Sequence, residues 1–220
     1  MEHYIYIYEH PQALFQKELA DLFLSRVVLR SLYTVNGKTT LANIVTEFIP
    51  DQERIVLIED TAEIQIQKPN VLRFEARREQ NGLPAVTIRD LLKATLRHRP
   101  DRIILGEIRG GEAFDLLQLL NTGHSGTIST VHASSAAQGI SRFSTCVLQS
   151  GVEIHYRAIK SNIADSLDVL FQMERRPGVR IVSEVLALRS FDLESDKYDF
   201  ELVYRHSSEL PDRQVTSARK

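Results

Sequence analysis

Short apolar segments alternate with longer segments of helical periodicity through the middle of this chain. The clearest apolar segments cover residues 54–58, 102–105 and 127–131, and helical patterns over residues 87–96 and 111–120 lie between them. A helix between two strands returns the chain to the sheet edge at which the first strand began, so such strands pair in parallel. The alternation therefore predicts an α/β fold with a mainly parallel sheet.

The predicted elements continue on both sides of this region. Strands are expected at residues 4–8 and 27–29, and helices at residues 11–23, 39–48, 135–150 and 155–164. Thr87 is the expected N-cap of the 87–96 helix, with Asp90 in its first turn. Three more strand patterns follow, separated by turn signals, at residues 169–174, 180–188 and 200–204. They predict an antiparallel extension at the C-terminal end of the fold.

Composition and charge exclude several classes of protein. Among 220 residues, Lys and Arg number 27 and Asp and Glu number 29, which gives a formal net charge of −2. This balance excludes proteins that bind nucleic acid through a strong basic excess. The single cysteine, Cys146, excludes an internal disulfide and is expected to be a buried small apolar side chain. No apolar run approaches the ~20 residues of a membrane span, and the first ten residues lack a signal-peptide pattern, so we expect a cytoplasmic protein.

A strand, a loop and the tetrapeptide GKTT at residues 37–40 lead into the 39–48 helix. In such a layout, backbone N–H groups at the helix N-terminus hold phosphate oxygens, the lysine neutralises phosphate charge and the hydroxyl binds Mg²⁺. The full phosphate-loop pattern has glycine where Leu32 stands. Taken alone, these residues favour an ordinary turn at 36–37 before a helix.

Carboxylates follow the buried strand at residues 54–58. Glu59, Asp60 and Glu63 come where a parallel strand ends, and that edge of the sheet is where α/β proteins place their chemistry. The alternative is a solvated loop in which Asp60 or Thr61 caps a helix.

Two further strands end in polar side chains. The strand that begins at residue 102 leads to Glu107, whose carboxylate suits the orientation of water beside a γ-phosphate. The alternative is that Glu107 only pairs with Arg109. The 127–131 strand is followed by His132, whose imidazole donates a hydrogen bond when neutral and adds positive charge when protonated. His124, in the glycine-rich turn before this strand, is the less favoured histidine.

These segments together resemble the secretion-superfamily ATPases, which include type II secretion E proteins, type IV secretion and conjugal-transfer ATPases and pilus-assembly ATPases. Residues 58–63 match the family's Asp box, residues 96–109 its signature around the Walker B strand, and residues 123–132 its His box. The segment GEIRGGEA is similar to the conjugal-transfer and type IV branch. The resemblance covers residues 37–204 and implies a RecA-like P-loop NTPase core.

The resemblance implies a site for ATP and Mg²⁺. Gly37, Lys38, Thr39 and Thr40 are the residues that it assigns to the nucleotide. Thr39, together with Glu107, is assigned to the metal ion.

The resemblance also assigns the hydrolytic residues and the partners. Glu63 and Glu107 are expected to position water and metal, and His132 to contact the γ-phosphate. Family members form hexameric rings at the cytoplasmic face of a secretion or pilus apparatus. The implied partners are therefore further copies of the chain and inner-membrane secretion or pilus components, with peripheral membrane association and no stable nucleic-acid binding.

The implied domain division has a non-family N-terminal segment at 1–30, a RecA-like secretion ATPase domain at 31–207 and a polar tail at 208–220. Leu32, Tyr33 and Val35 stand where the family's phosphate loop has glycine, and such side chains restrict the backbone and crowd a phosphate. The family's N-terminal domain is not matched, and an N-terminally truncated or rearranged gene product is one explanation.

We therefore expect an ATP-binding motor subunit with weak hydrolysis. The alternative is a non-enzymatic remnant that folds and associates with ring subunits without hydrolysing ATP. A small-molecule kinase is disfavoured, since no segment is typical of a lid or an acceptor site. The basic residues between the Asp box and the Walker B strand are expected either to be solvated or to reach a neighbouring subunit's nucleotide; they are Arg73, Arg77, Arg78, Arg97 and Arg99.

Overall fold

The computed structural model describes residues 27–31, 38–123, 126–176 and 179–206. The strands in this part of the chain are β1 (Val27–Ser31), β2 (Ile55–Glu59), β3 (Val71–Glu75), β4 (Arg102–Ile108), β5 (Ile128–His132), β6 (Val169–Arg176), β7 (Val179–Asp192) and β8 (Lys197–Arg205). The helices are α1 (Lys38–Glu47), α2 (Ile88–Thr95), α3 (Glu112–Asn121), α4 (Ala136–Leu148) and α5 (Tyr156–Ser166). A 3₁₀ turn, Leu96–His98, follows α2.

All of these strands belong to one sheet, in the order β3-β2-β4-β5-β1-β6-β7-β8. The first six pair in parallel, whereas β7 is antiparallel to β6 and β8 is antiparallel to β7. The predicted α/β class, with a mainly parallel sheet and a C-terminal antiparallel extension, is confirmed.

Apolar side chains cover both faces of the sheet. On one face, Leu41 and Val45 of α1 pack against the inward side chains of β2, β4 and β5. On the other face, the apolar sides of α2, α3, α4 and α5 form a second cluster, in which Phe143 of α4 is 1% exposed. Because strands with helices on both faces are buried on both sides, they are continuously apolar, as in β2, where all five residues are buried.

The predicted start of α2 is confirmed in detail. The Asp90 backbone N–H donates to the Thr87 hydroxyl at 3.2 Å, and the Thr87 N–H donates to the Asp90 carboxylate at 2.9 Å. These reciprocal bonds form a capping box, and the hydrogen bonds from Thr87 lower the pKa of Asp90.

Strand β3 has no counterpart among the predicted elements. It lies at the edge of the sheet, and its side chains are exposed or half-buried, so its sequence VLRFE lacks the continuous apolar run of a central strand. A hairpin follows it, in which Arg77 pairs with Val86 around a turn at Asn81 and Gly82. Both turn residues have positive φ, 52° and 75°, which Asn-Gly pairs adopt readily.

Several predictions fall outside the described residues and stay predictions. They are the strand at 4–8, the helix at 11–23, the turn at 36–37 and the tail after 207.

Candidate active site at the carboxyl edge of the sheet

Three strands of the parallel region end in polar side chains at the same edge of the sheet. Glu59 ends β2, Glu107 lies near the end of β4, and His132 ends β5. The register pairs Ser31, the last residue of β1, with His132. The carboxyl ends of β1 and β5 are therefore neighbours in the sheet.

Glu107 and His132 are in direct contact. The Nε2 atom of His132 forms an ion pair or hydrogen bond with Oε1 of Glu107. The Glu107 side chain is 16% exposed and that of His132 is 36% exposed, so the pair is accessible from solvent. The contact joins the Walker B and His box segments that the sequence singled out.

A bulge between β4 and β5 shapes this contact. Leu105 pairs with Ser129 and Ile108 with Val131, so two residues of β4 oppose Thr130 alone. The Thr130 hydroxyl donates to the Gly106 carbonyl at 2.6 Å across the bulge. Bulges redirect side chains at functional edges of sheets, and here the affected residue next to Gly106 is Glu107.

Arg109 completes the group on the other side of Glu107. Its Nε donates to Oε2 of Glu107 at 2.7 Å, and its Nη1 donates to Oδ2 of Asp60 at 3.1 Å. The hydrogen bond and charge of Glu107, with smaller contributions from Asp60 and Glu63, raise the pKa of Arg109.

The turn after β2 is held by a buried carboxylate. Glu59 is 5% exposed, and its Oε1 accepts the backbone N–H groups of Glu63 at 3.0 Å and Ile64 at 2.8 Å. A Cβ atom at Gly106 would lie 3.1 Å from the Cγ of Glu59, so glycine at that position leaves room for this side chain. Glu59 therefore fixes the backbone of the Asp box rather than facing the open site.

The loop after β4 is fixed as well. Oε1 of Glu112 accepts the backbone N–H groups of Arg109 at 2.5 Å and Gly110 at 2.7 Å. Gly111 lies against the end of α4, where an added Cβ atom would be 2.9 Å from the Cα of Ser150.

The predicted site residues are thus placed as follows. Glu107 and His132 meet, and Glu63 lies in the acidic turn close enough for its charge to act on Arg109. Lys38, Thr39 and Thr40 form the first residues of α1, but their side chains, like Gly37, lie outside the described part of the chain. The predicted convergence of Lys38 on the carboxylates stays a prediction, and so do the roles of all these residues.

The glycine-rich turn before β5 has a different place in the fold. Gly126 precedes the amino end of β5, at the edge opposite His132. It lies under the guanidinium of Arg102, which pairs with Glu53. His124 lies outside the described residues.

Two arginines of the predicted basic patches, Arg73 and Arg77, donate hydrogen bonds to backbone carbonyls. Arg73 donates to the carbonyls of Ile64 and Ile66, each at 2.9 Å, and Arg77 donates to the carbonyl of Pro84 at 3.0 Å. These two arginines therefore hold the chain after β2 and the hairpin after β3.

The residues at this edge are compatible with a magnesium nucleotide. Within residues 27–31, 38–123, 126–176 and 179–206, no three His, Cys, Asp or Glu side chains are arranged to hold a metal. Mg²⁺ bound with ATP takes most of its ligands from phosphates and water, and needs one or two protein oxygens. Glu107 offers such an oxygen.

Two residues of the site were not assigned by sequence reasoning. Arg109 entered only as an alternative partner of Glu107, and Glu59 only as one of three carboxylates. The available signal was the spacing of Glu107 and Arg109, since residues two apart on an extended chain point to the same side. The Arg109–Glu107 pairing of that alternative is present, together with the His132 contact.

A cleft in the described part of the chain lies elsewhere. It measures about 380 Å³ and is lined by Asn43, Thr46, Glu47, Gln65, Gln67 and Lys68. Neither Glu63, Glu107 nor His132 lines it, and Lys68 is already bound to Asp51 at 2.8 Å.

This chain is similar to known proteins in both sequence and structure. The Type IV secretion system protein VirB11 of Bartonella quintana is 38% identical over 154 residues, which are 69% of this chain and 43% of that protein. The "Probable conjugal transfer protein TrbB" of Sinorhizobium fredii is 35% identical over 181 residues, covering 79% of this chain and 53% of that protein. The chain thus spans about half the length of the relatives it matches.

A solved structure agrees with these relatives. The VirB11 ATPase of the Brucella suis type IV secretion system, crystallised in complex with sulphate, superposes with a TM-score of 0.66 and 30% identity. The superposition covers 81% of this chain and 56% of that one. This similarity confirms the RecA-like P-loop ATPase fold. None of the helices in the described residues is long and apolar enough to cross a membrane.

The family model described as "Type II/IV secretion system protein" matches residues 24–180. The match includes the strands that carry Glu107 and His132, the acidic turn after β2 and helix α1. The chain belongs to the type II/IV secretion system protein family.

Proposed function

We propose that this chain is an ATP-binding and ATP-hydrolysing subunit of a type II/type IV secretion, pilus-assembly or conjugal-transfer motor. The observation that carries the proposal is the contact of Glu107 with His132, which pairs with Ser31 at the end of β1. In the proposed site, the N-terminus of α1 holds the phosphates, and the carboxylate of Glu107 and the imidazole of His132 orient water and stabilise charge.

In this proposal the roles are divided between the two sides of the site. Gly37, Lys38, Thr39 and Thr40 bind the phosphates, with the Thr39 hydroxyl on Mg²⁺. Mg²⁺, when bound, neutralises charge on the β- and γ-phosphates.

The opposite side orients the attacking water. Glu107 contributes a carboxylate oxygen to the metal and its water, and Glu63 supports the same water from the acidic turn. His132 donates to the γ-phosphate. Related VirB11 crystals hold sulphate, a tetrahedral anion like phosphate, which supports a phosphate-binding role for this fold.

The test is a calorimetric titration with ATPγS and Mg²⁺, joined to an assay of phosphate release from ATP. We expect saturable binding that Lys38→Ala abolishes and that Glu107→Gln retains. We also expect phosphate release that Glu107→Gln abolishes. Binding that survives Lys38→Ala unchanged contradicts the proposed site.

The second candidate is a non-enzymatic ATPase remnant, which the side chains of Leu32, Tyr33 and Val35 favour. They stand where the family's phosphate loop has glycine, and such side chains crowd a phosphate, so we propose that hydrolysis is weak. Returning all three positions to glycine is expected to tighten nucleotide binding. If the affinity stays unchanged, the loop is not the cause of weak binding, and turnover equal to that of an intact family member contradicts impairment altogether.

The proposal extends to assembly and location. We propose a hexameric ring at the cytoplasmic face of the membrane, with peripheral attachment to inner-membrane secretion or pilus components and no stable nucleic-acid binding. The division into residues 1–30, 31–207 and 208–220 belongs to the same proposal. Light scattering with and without nucleotide tests it, since a species that stays monomeric under both conditions contradicts the ring.

A further inference from the structure

We propose that Arg109 is the positioning residue of this site. Its guanidinium holds the Glu107 carboxylate against His132 and ties it to the acidic turn after β2. The inference rests on the proposed ATPase function and adds to it a residue outside the predicted set.

The side-chain geometry divides the two oxygens of Glu107 between two partners. Nε and Nη2 of Arg109 both lie 2.7 Å from Oε2, and Oε1 faces His132. With Oε2 held by two donors, rotation of the carboxylate would break two charge-assisted bonds. The direction of Oε1 is therefore set by Arg109.

The third nitrogen of the guanidinium reaches a different strand end. Nη1 of Arg109 donates to Oδ2 of Asp60, the residue after β2, at 3.1 Å. The planar guanidinium thus bridges two carboxylates: that of Asp60, which follows β2, and that of Glu107, which lies near the end of β4. A lysine cannot reproduce this bridge, because its ammonium is a point charge without the fixed fork of a guanidinium.

The backbone of Arg109 is itself held, so the bridge has a fixed base. Its N–H donates to Glu112 at 2.5 Å, and Nη2 of Arg142, on α4, lies 3.5 Å from its carbonyl oxygen. Two residues on, Gly111 lies directly against the end of α4. Arg109 therefore imposes an orientation on Glu107 instead of following its movement.

Arg109 serves orientation more than stability. Its side chain is 64% exposed and that of Asp60 is 48% exposed, and ion pairs this open contribute little to folding. Substitution of Arg109 is therefore expected to leave the fold intact. A comparably exposed ion pair on the antiparallel extension serves as a control. It joins Arg189 and Glu201, whose side chains are 56% and 57% exposed.

The first experiment compares ATP hydrolysis by the full chain and its Arg109→Gln, Arg109→Lys and Arg189→Gln variants. Misdirecting a reacting group lowers turnover, so Arg109→Gln is expected to reduce kcat by about 10- to 100-fold. The KM for ATP is expected to change by less than about threefold, because ground-state contacts are untouched. Arg109→Lys should recover part of kcat, and Arg189→Gln should match the wild type. An unchanged kcat, or a rise in KM alone, overturns the proposal.

The second experiment does not depend on turnover. The ¹⁵N signals of the His132 imidazole are assigned by their loss in His132→Gln and followed at one pH. We expect them to shift in Arg109→Gln, since Glu107 Oε1 loses its direction, and to stay in place in Arg189→Gln. Unshifted signals in Arg109→Gln refute the positioning role even if the wild type hydrolyses ATP. If the wild type shows no Mg²⁺-dependent turnover, the proposed function is contradicted. The comparison of ¹⁵N signals in Arg109→Gln and Arg189→Gln then tests the role of Arg109 by itself.

Discussion

Two adjacent glycines in the loop after β4 offer a matched test of packing next to the candidate site. Gly111 has φ −61° and ψ −15°, an ordinary helical conformation, so backbone freedom does not require glycine there. A Cβ atom on Gly111 would lie 2.9 Å from the Cα of Ser150 and 3.2 Å from the carbonyl of Gln149. At Gly110, the nearest atom would be a carboxylate oxygen of Glu112 at 3.4 Å, an ordinary contact with a movable side chain.

The expected magnitude follows from which atoms must move. In Gly111→Ala the obstacle is backbone at the end of α4, and such overpacking destabilises proteins by about 1–3 kcal/mol. For a chain of this length, 1 kcal/mol corresponds to roughly 2–4 °C in Tm, so a decrease of about 2–12 °C is expected. Gly110→Ala is expected to stay within about 0.5 kcal/mol of the wild type.

The assay is thermal unfolding followed by circular dichroism, with urea unfolding as a second measure. Gly111→Ala should unfold at lower temperature and lower urea concentration than Gly110→Ala. Equal transitions for the two variants would show that the loop does not press on the end of α4. Glu112 and Arg142 would then be left as the contacts that hold the Arg109 backbone.

Two further predictions concern residues away from the site. Gly126 and Gly123 both have positive φ, 75° and 95°, but only at Gly126 would a Cβ atom meet another group, lying 2.6 Å from the Cζ of Arg102. Because this Cβ atom would displace the guanidinium of Arg102 from Glu53, Gly126→Ala should lower the free energy of unfolding, measured in urea, by about 1–3 kcal/mol, more than Gly123→Ala. Equal losses of stability in the two variants would contradict this prediction. Burial raises the pKa of the Cys146 thiol, so native protein at pH 8 should resist a disulfide reagent such as DTNB that labels it in urea. Rapid labelling of the native protein would show that the thiol is exposed.

Strands with continuous apolar runs were predictable, and the edge strand was not. The run IVLIE of β2 is buried along its whole length, so its hydrophobicity is visible without knowledge of its neighbours. In β3 the charged residues Arg73 and Glu75 alternate with half-buried ones, because only one neighbouring strand covers it. The apolar pattern of a segment reflects how many of its side chains are buried. An edge strand buries few side chains, so its sequence lacks a clear pattern.

The candidate site divides in the same way. The order of residues along the chain was enough to place Glu107 and His132 at the carboxyl ends of parallel strands, because alternation of strand and helix obliges those ends to share an edge. The bridge made by Arg109 was not predictable, since its partner Asp60 lies 49 residues away and on a different strand.

The amino-acid sequence by itself determined the α/β class, the position of the polar residues after each strand and the family resemblance. Only the tertiary structure decided that β4 and β5 are neighbours, that a bulge between them accompanies the Glu107–His132 contact, and that Arg109 joins two strand ends. The physical reason is the distance along the chain over which each effect acts. Propensity and periodicity act over a few residues, whereas strand order and register depend on how helices on both faces bury the whole sheet at once.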